Sequence, residues 1–187
     1  MILNETIAQK VLNNQALINF LYPDPDPWHG HPLQGYVNKN NKVKGKYGEL
    51  FVETLMTDLG HKVGKAKYST SGHDRIINDI RVEVKFGAAH RDSKNKGKTC
   101  QDVFSFNHLS VKKDWNRAIL IGVNIDNVYA TWFTKQDFIN ELNKPSNYFK
   151  RQQSGKDGGN DDWMFMTDSL SWQSFIKEPW VKNVNQW

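Results

Sequence analysis

Apolar and polar residues alternate most sharply between Ile80 and Phe86. Ile80, Val82, Val84 and Phe86 fall on one face, and Arg81, Glu83 and Lys85 on the other, which is the period of a half-buried strand. Asp74 to Ile77 is a second short extended run just upstream, with Asn78-Asp79 between the two. Both turn residues tolerate the positive φ that a two-residue hairpin demands. Such a turn pairs Ile77 with Ile80, Ile76 with Arg81 and Asp74 with Glu83.

The same reading predicts the other elements. Residues 5–21 carry Ile7, Val11, Leu12, Leu17, Ile18 and Leu21 near helical spacing, and Tyr22-Pro23 ends that helix. Residues 23–44 are rich in Pro, Gly and Asn and read as a loop or arm. Residues 45–59 form a second helix, with Tyr47, Leu50, Phe51, Leu55 and Leu59 as its apolar stripe and Gly60 closing it. His61 to Lys67 is a short basic strand, followed by a polar turn. Ala118 to Val123 is a continuous apolar run, as in a strand buried on both faces. Val128 to Phe133 is another strand. Thr134 and Asp137 resemble a capping box that opens a helix reaching Leu142. Residues 87–102 and 150–162 are polar loops, and the second lacks the Lys-Ser/Thr of a phosphate-binding loop. Trp163 to Met166 reads as a strand and Thr167 to Ile176 as a short helix.

Composition narrows the class. A chain of 187 residues with 38% apolar and 12% aromatic content suits one globular domain, with 1–44 as helix and arm, 45–140 as core and 141–187 as C-terminal extension. No apolar run approaches a membrane span, and the first residues lack a secretory pattern. The single cysteine, Cys100, excludes an internal disulfide, so a reducing cytoplasmic setting is expected. No internal repeat or zinc-ligand cluster appears, and His29 and His31 lack a third ligand. The net charge of +5 suits an anionic partner. Lysines and arginines flank the hairpin on both sides, the footprint of phosphate-backbone binding. Lys46, Lys65, Arg91, Lys94, Lys96, Lys112 and Lys113 are the candidate DNA-contacting cations.

The hairpin itself carries the chemistry. Two carboxylates directly opposite on one sheet face repel each other, and a divalent cation reverses that sign. Lys85 shares the face. Two acids and an amine are what metal-assisted phosphodiester hydrolysis needs: hard oxygen ligands for Mg²⁺, and an ammonium group to orient water or offset charge.

Asp74, eight residues, then Glu83-Val84-Lys85 resembles the PD-(D/E)xK motif of restriction-endonuclease-like nucleases, as found in small type II restriction endonucleases. His73 stands where that motif has its proline. Asp79 is the rival first acid, placed in the turn. Gly48-Glu49, the apolar helix after it and Leu59-Gly60-His61-Lys62-Val63 resemble the first helix and strand of the same family. The likeness extends over roughly 45–140 and includes the Lys113-Asp114-Trp115 turn. It implies an α/β fold with a central mixed β-sheet flanked by helices. It also implies an endodeoxyribonuclease acting on double-stranded DNA, with Asp74, Glu83 and Glu49 at Mg²⁺ (Mn²⁺ as substitute) and Lys85 at the attacking water. The products would be a 5′-phosphate and a 3′-hydroxyl. Glu53 is the runner-up to Glu49, and Asn107 is a candidate phosphate contact. A site-specific restriction enzyme, acting as a homodimer if it cuts both strands, is the preferred reading. A Holliday-junction resolvase, a repair nickase, a non-catalytic nucleic-acid-binding module and a protein-interaction domain remain the alternatives.

Overall fold

The computed structural model describes residues 13–14, 26, 28–68, 71–89, 103–145, 147–152, 162–166 and 169–187. Most of the helix expected over 5–21, most of the loops expected over 87–102 and 150–162, and Cys100 lie outside them. The chain divides into two units, Met1–Lys39 and Asn40–Trp187.

In the first unit, the Asp26 carboxylate accepts the backbone N–H of Trp28 at 2.9 Å and that of Gly35 at 2.5 Å. Successive turns lead to a short 3₁₀ helix, Tyr36–Asn38. His31 belongs to this framework. Its Nδ1 accepts the Leu33 N–H at 3.0 Å, and its ring lies 4.8 Å from that of Trp28.

The second unit opens with helix α1, Asn41–Asp58, a turn earlier than its apolar pattern implies. The cause is Asn40, whose side chain accepts the Val43 N–H at 3.0 Å and satisfies an orphan donor of the first turn. The other end closes as expected. Gly60 has φ of 84°, its N–H reaches the Thr57 carbonyl, and the His61 N–H reaches that of Met56, which is a Schellman close.

Among the described residues nine strands follow: β1 (Val63–Lys65), β2 (Arg75–Ile77), β3 (Ile80–Ala88), β4 (Ser105–Ser110), β5 (Arg117–Val123), β6 (Val128–Thr134), β7 (Lys150–Arg151), β8 (Asp162–Met166) and β9 (Lys182–Asn183). Helix α2, Lys135–Leu142, follows β6, and α3, Ser169–Phe175, follows β8. The capping box at Thr134 and Asp137 is formed in both directions. Six strands make a mixed sheet in the order β1-β2-β3-β5-β6-β9. Only the β3–β5 pair within it is parallel, because the chain leaves after β3 and returns along the same direction. On that excursion β4 joins β8 and β7 in a second, three-stranded sheet. The fold is therefore α/β, a central mixed sheet flanked by helices. The segment read as an extension, 141–187, contributes β7, β8 and β9 to the two sheets.

Each face of the main sheet has its own cover. Helix α1 lies on the Val82, Val84 and Phe86 face. Its buried residues are Gly48, Val52 and Met56. The expected stripe is instead partly open: Tyr47, Leu50 and Leu59 are 37%, 45% and 40% exposed. The reason is Gly48, where an added Cβ would stand 2.5 Å from Phe86 Cβ. That close approach makes the 48–52–56 line the contact. The opposite face is covered by Phe104 and Phe106, seated over Gly87 and Gly122, and by the buried rings of Phe133, Phe138, Phe165, Trp172 and Phe175. On the α1 side, the Arg117 guanidinium sits between Trp132 and Trp187, 4.2 and 4.6 Å from their ring centres. Among the described residues, no helix is long and apolar enough to cross a membrane.

Replacing Gly48 by Ala tests this packing. Ala is the better helix former, yet the methyl overlaps β3, so the variant is expected to lose about 1–3 kcal/mol in urea unfolding. An unchanged midpoint would contradict the close approach of α1 to β3.

Candidate active site

The hairpin turn forms as its residues require. Asn78 and Asp79 have φ of 48° and 65°, values that Asn and Asp tolerate and that a two-residue turn needs. The register is Ile77 with Ile80, Ile76 with Arg81 and Arg75 with Val82. The ladder ends at that last pair, so the expected Asp74–Glu83 pairing is not a regular rung; Asp74 lies beyond it, close enough to Glu83 for their charges to repel, and Glu83 shares its face with Arg81 and Lys85. Asp79 stays at the exposed tip.

Asp74 reaches β3 with both its backbone and its side chain. Its N–H donates to the Val82 carbonyl at 2.9 Å, and its Oδ2 accepts the Val84 N–H at 2.7 Å. Burial holds the Asp74 pKa above the ordinary 3.8, and the neighbouring Glu83 charge pushes it further. The Val84 N–H and the Lys85 charge oppose that rise without cancelling it.

Glu83 is only 2% exposed. A buried carboxylate needs compensation, and two ammonium groups supply it. Lys85 Nζ is 2.7 Å and Lys113 Nζ 3.1 Å from Glu83 Oε1. Lys113 belongs to the turn between β4 and β5, which lies over this face and is tied down at several points. Arg81 pairs with Asp114 at 2.6 Å, and the Trp115 indole donates to the Ser110 carbonyl at 2.8 Å. His73 Nδ1 donates to the carbonyls of Ser71 and Asp114 at 2.9 and 3.1 Å. His73 thus ties the turn to the start of the hairpin.

Glu49 does not join the two acids. Its Oε2 accepts from Arg75 at 2.9 Å and from Lys46 at 3.0 Å. Glu53 pairs with the same guanidinium at 3.1 Å. Arg75 is buried and follows Asp74 in sequence, so strand alternation turns it to the other face, toward α1. Its Nη1 also donates to the Asp74 carbonyl at 2.8 Å. The three-carboxylate set expected from the motif is thus not assembled. Among the described residues, no group of three or more His, Cys, Asp or Glu side chains is placed to hold a metal ion. Among the described residues the converging acids are Asp74 and Glu83, with the Glu49 charge near enough to add to the rise of the Asp74 pKa.

The expected DNA contacts scatter. Lys46 is engaged with Glu49. Lys65 is exposed on β1, and Lys112 is exposed on the β4–β5 turn. Asn107 is exposed beside the β-bulge between Phe106 and Leu109. Lys113 is held at Glu83. Arg91, Lys94 and Lys96 lie outside the described residues.

Two residues were not singled out from sequence as partners of these acids. Arg75 left a signal: it is a cation on the apolar side of its strand, downstream of two glutamates one helical turn apart. Lys113 left none, because the Glu83 contact joins residues 30 apart in sequence.

No family model matches the chain, and no curated protein sequence matches it. Among solved structures it is similar to the bacterial homing endonuclease I-Ssp6803I, at 14% identity and a TM-score of 0.37, over 75% of this chain and 95% of that one.

The Asp74 carboxyl gives a prediction with a definite sign. A carboxyl whose folded pKa exceeds its unfolded value destabilises once ionised, so its effect grows as pH rises through that window. Asp74→Asn keeps an acceptor for Val84 and removes the repulsion. At pH 7 the variant is expected to be more stable by roughly 0.5 kcal/mol. The gap should close below pH 3.8, where the parent carboxyl is protonated in both states. Thermal melts at the two pH values check this, and a less stable variant at pH 7 contradicts it.

Proposed function

We propose that the chain is a metal-dependent endodeoxyribonuclease of the PD-(D/E)xK type, with a restriction-endonuclease-like core. One observation carries the reading: the Asp74 carboxyl, at the mouth of a tight hairpin, lies close enough to Glu83 for the two charges to repel, with the Lys85 ammonium 2.7 Å from Glu83. A carboxyl whose pKa is raised by burial and by the Glu83 charge beside it fits a divalent cation, which relieves that repulsion. Both offer hard oxygen donors, as Mg²⁺ requires, and Mn²⁺ suits the same set. When bound, such an ion supplies Lewis-acid polarisation of the phosphate and acidifies a water.

The remaining work belongs to the side chains. Val84 N–H fixes one oxygen of Asp74, which leaves the other to face the site. Lys85 stands beside Glu83, where an ammonium group can orient the attacking water and balance charge gathering on the phosphate. Glu49 and Glu53 hold Arg75, and Arg75 holds the Asp74 carbonyl. The glutamates of α1 therefore position the first acid rather than bind beside it. DNA contacts fall to the exposed cations and loops around this face. A cut through both strands calls for two such sites and hence a homodimer, and a monomer would nick.

Supercoiled plasmid with Mg²⁺ tests the proposal. Asp74→Ala and Lys85→Ala are each expected to slow cleavage by about 10²-fold or more, while gel-shift affinity for DNA stays near that of the parent. Cleavage that survives both substitutions, or that is absent from the parent, contradicts it. Cleavage confined to four-way junctions would replace the restriction reading with that of a resolvase.

A further inference from the structure

We infer that Lys113 is a displaceable counter-cation of this site, which occupies the Glu83 carboxylate until a divalent ion takes its place. The inference rests on the nuclease reading above and adds a residue to it.

The two lysines at Glu83 are built differently. Lys85 leaves the same strand two residues on, and its side chain is 16% exposed. Lys113 comes from another element and is 38% exposed. Its ammonium group has a second, longer contact at 3.4 Å, to the His108 carbonyl at the β4 bulge. The backbone beneath it is fixed. The Lys113 carbonyl accepts from Lys135 Nζ at 2.6 Å, and the Asn116 N–H donates to the Arg81 carbonyl at 2.8 Å. A pinned base with an exposed tip lets the side chain swing without disturbing the turn.

Electrostatics gives the swing a purpose. Both ammonium groups lie on one oxygen, Glu83 Oε1, the atom that a metal must share. A dication arriving there meets two positive charges in a weakly solvated place, where repulsion is strong. Lys85 is bound to the strand, so Lys113 is the group that leaves. The phosphate of an incoming nucleic acid is the natural acceptor for it. Lys113 therefore weakens metal capture in the free protein and couples metal to substrate, since any such coupling is reciprocal.

Mn²⁺ titration followed by the paramagnetic signal of the free ion decides the matter without reference to cleavage. It is run on the parent chain, Lys113→Gln, Lys113→Arg and Asp74→Asn, with thermal melts confirming that each is folded. Lys113→Gln is expected to bind Mn²⁺ roughly tenfold more tightly than the parent. Lys113→Arg, which keeps the charge, should stay close to the parent, and Asp74→Asn should bind weakly. Equal affinity in the parent and Lys113→Gln, with loss in Asp74→Asn, overturns the role of Lys113 and leaves the nuclease reading standing. No binding by any of the folded chains overturns both.

Discussion

A carboxylate buried at 2% exposure cannot stand alone, and the molecule is arranged around the needs of Glu83. The β-hairpin brings Asp74 near it. The strand that carries it supplies Lys85. The crossover to the parallel strand β5 returns through the turn that supplies Lys113. Removing water from the group makes each nearby charge count for more. The same burial and the Glu83 charge raise the Asp74 pKa. A pair of acids and a pair of ammonium groups balance locally, and neither pair is at ease without the other.

A second charge cluster lies on the reverse of the same strands. Asp74 and Arg75, neighbours in sequence, take different partners: Asp74 turns to the Val84 N–H and Arg75 to α1. Arg75 enters the interface with α1, where burying its guanidinium depends on Glu49 and Glu53. Its further bond to the Asp74 carbonyl joins the two clusters through the main chain. The helix thus reaches the candidate active site by holding the backbone that presents the first acid. This accounts for Glu49, which pairs with Arg75 instead of meeting the other two acids.

The hairpin was legible because its signals are local. Alternation, a turn dipeptide tolerant of positive φ and a two-residue loop fix the register, and register fixes which side chains share a face. The capping box of α2, the Schellman close of α1 and the buried run of β5 were legible for the same reason. The buried line of α1 was not. Hydrophobicity favoured Tyr47, Leu50 and Leu59, whereas the contact is set by a residue with no side chain, Gly48, which admits Phe86. Nor was β4 legible as a strand of a second sheet, because its partner β8 lies more than fifty residues away and the pairing is broken by a bulge. Lys113 was read from its charge as a phosphate contact. Its place beside Glu83 depends on a crossover between sheets that no local pattern announces.

We propose that the carboxylates of Asp74 and Glu83 together take a divalent ion. Crystals of the protein soaked in Mn²⁺, measured at the manganese absorption edge, test it most directly. An anomalous peak is expected within coordination distance of both carboxylates. A peak elsewhere, or none at this hairpin in crystals that take up the ion, would contradict it.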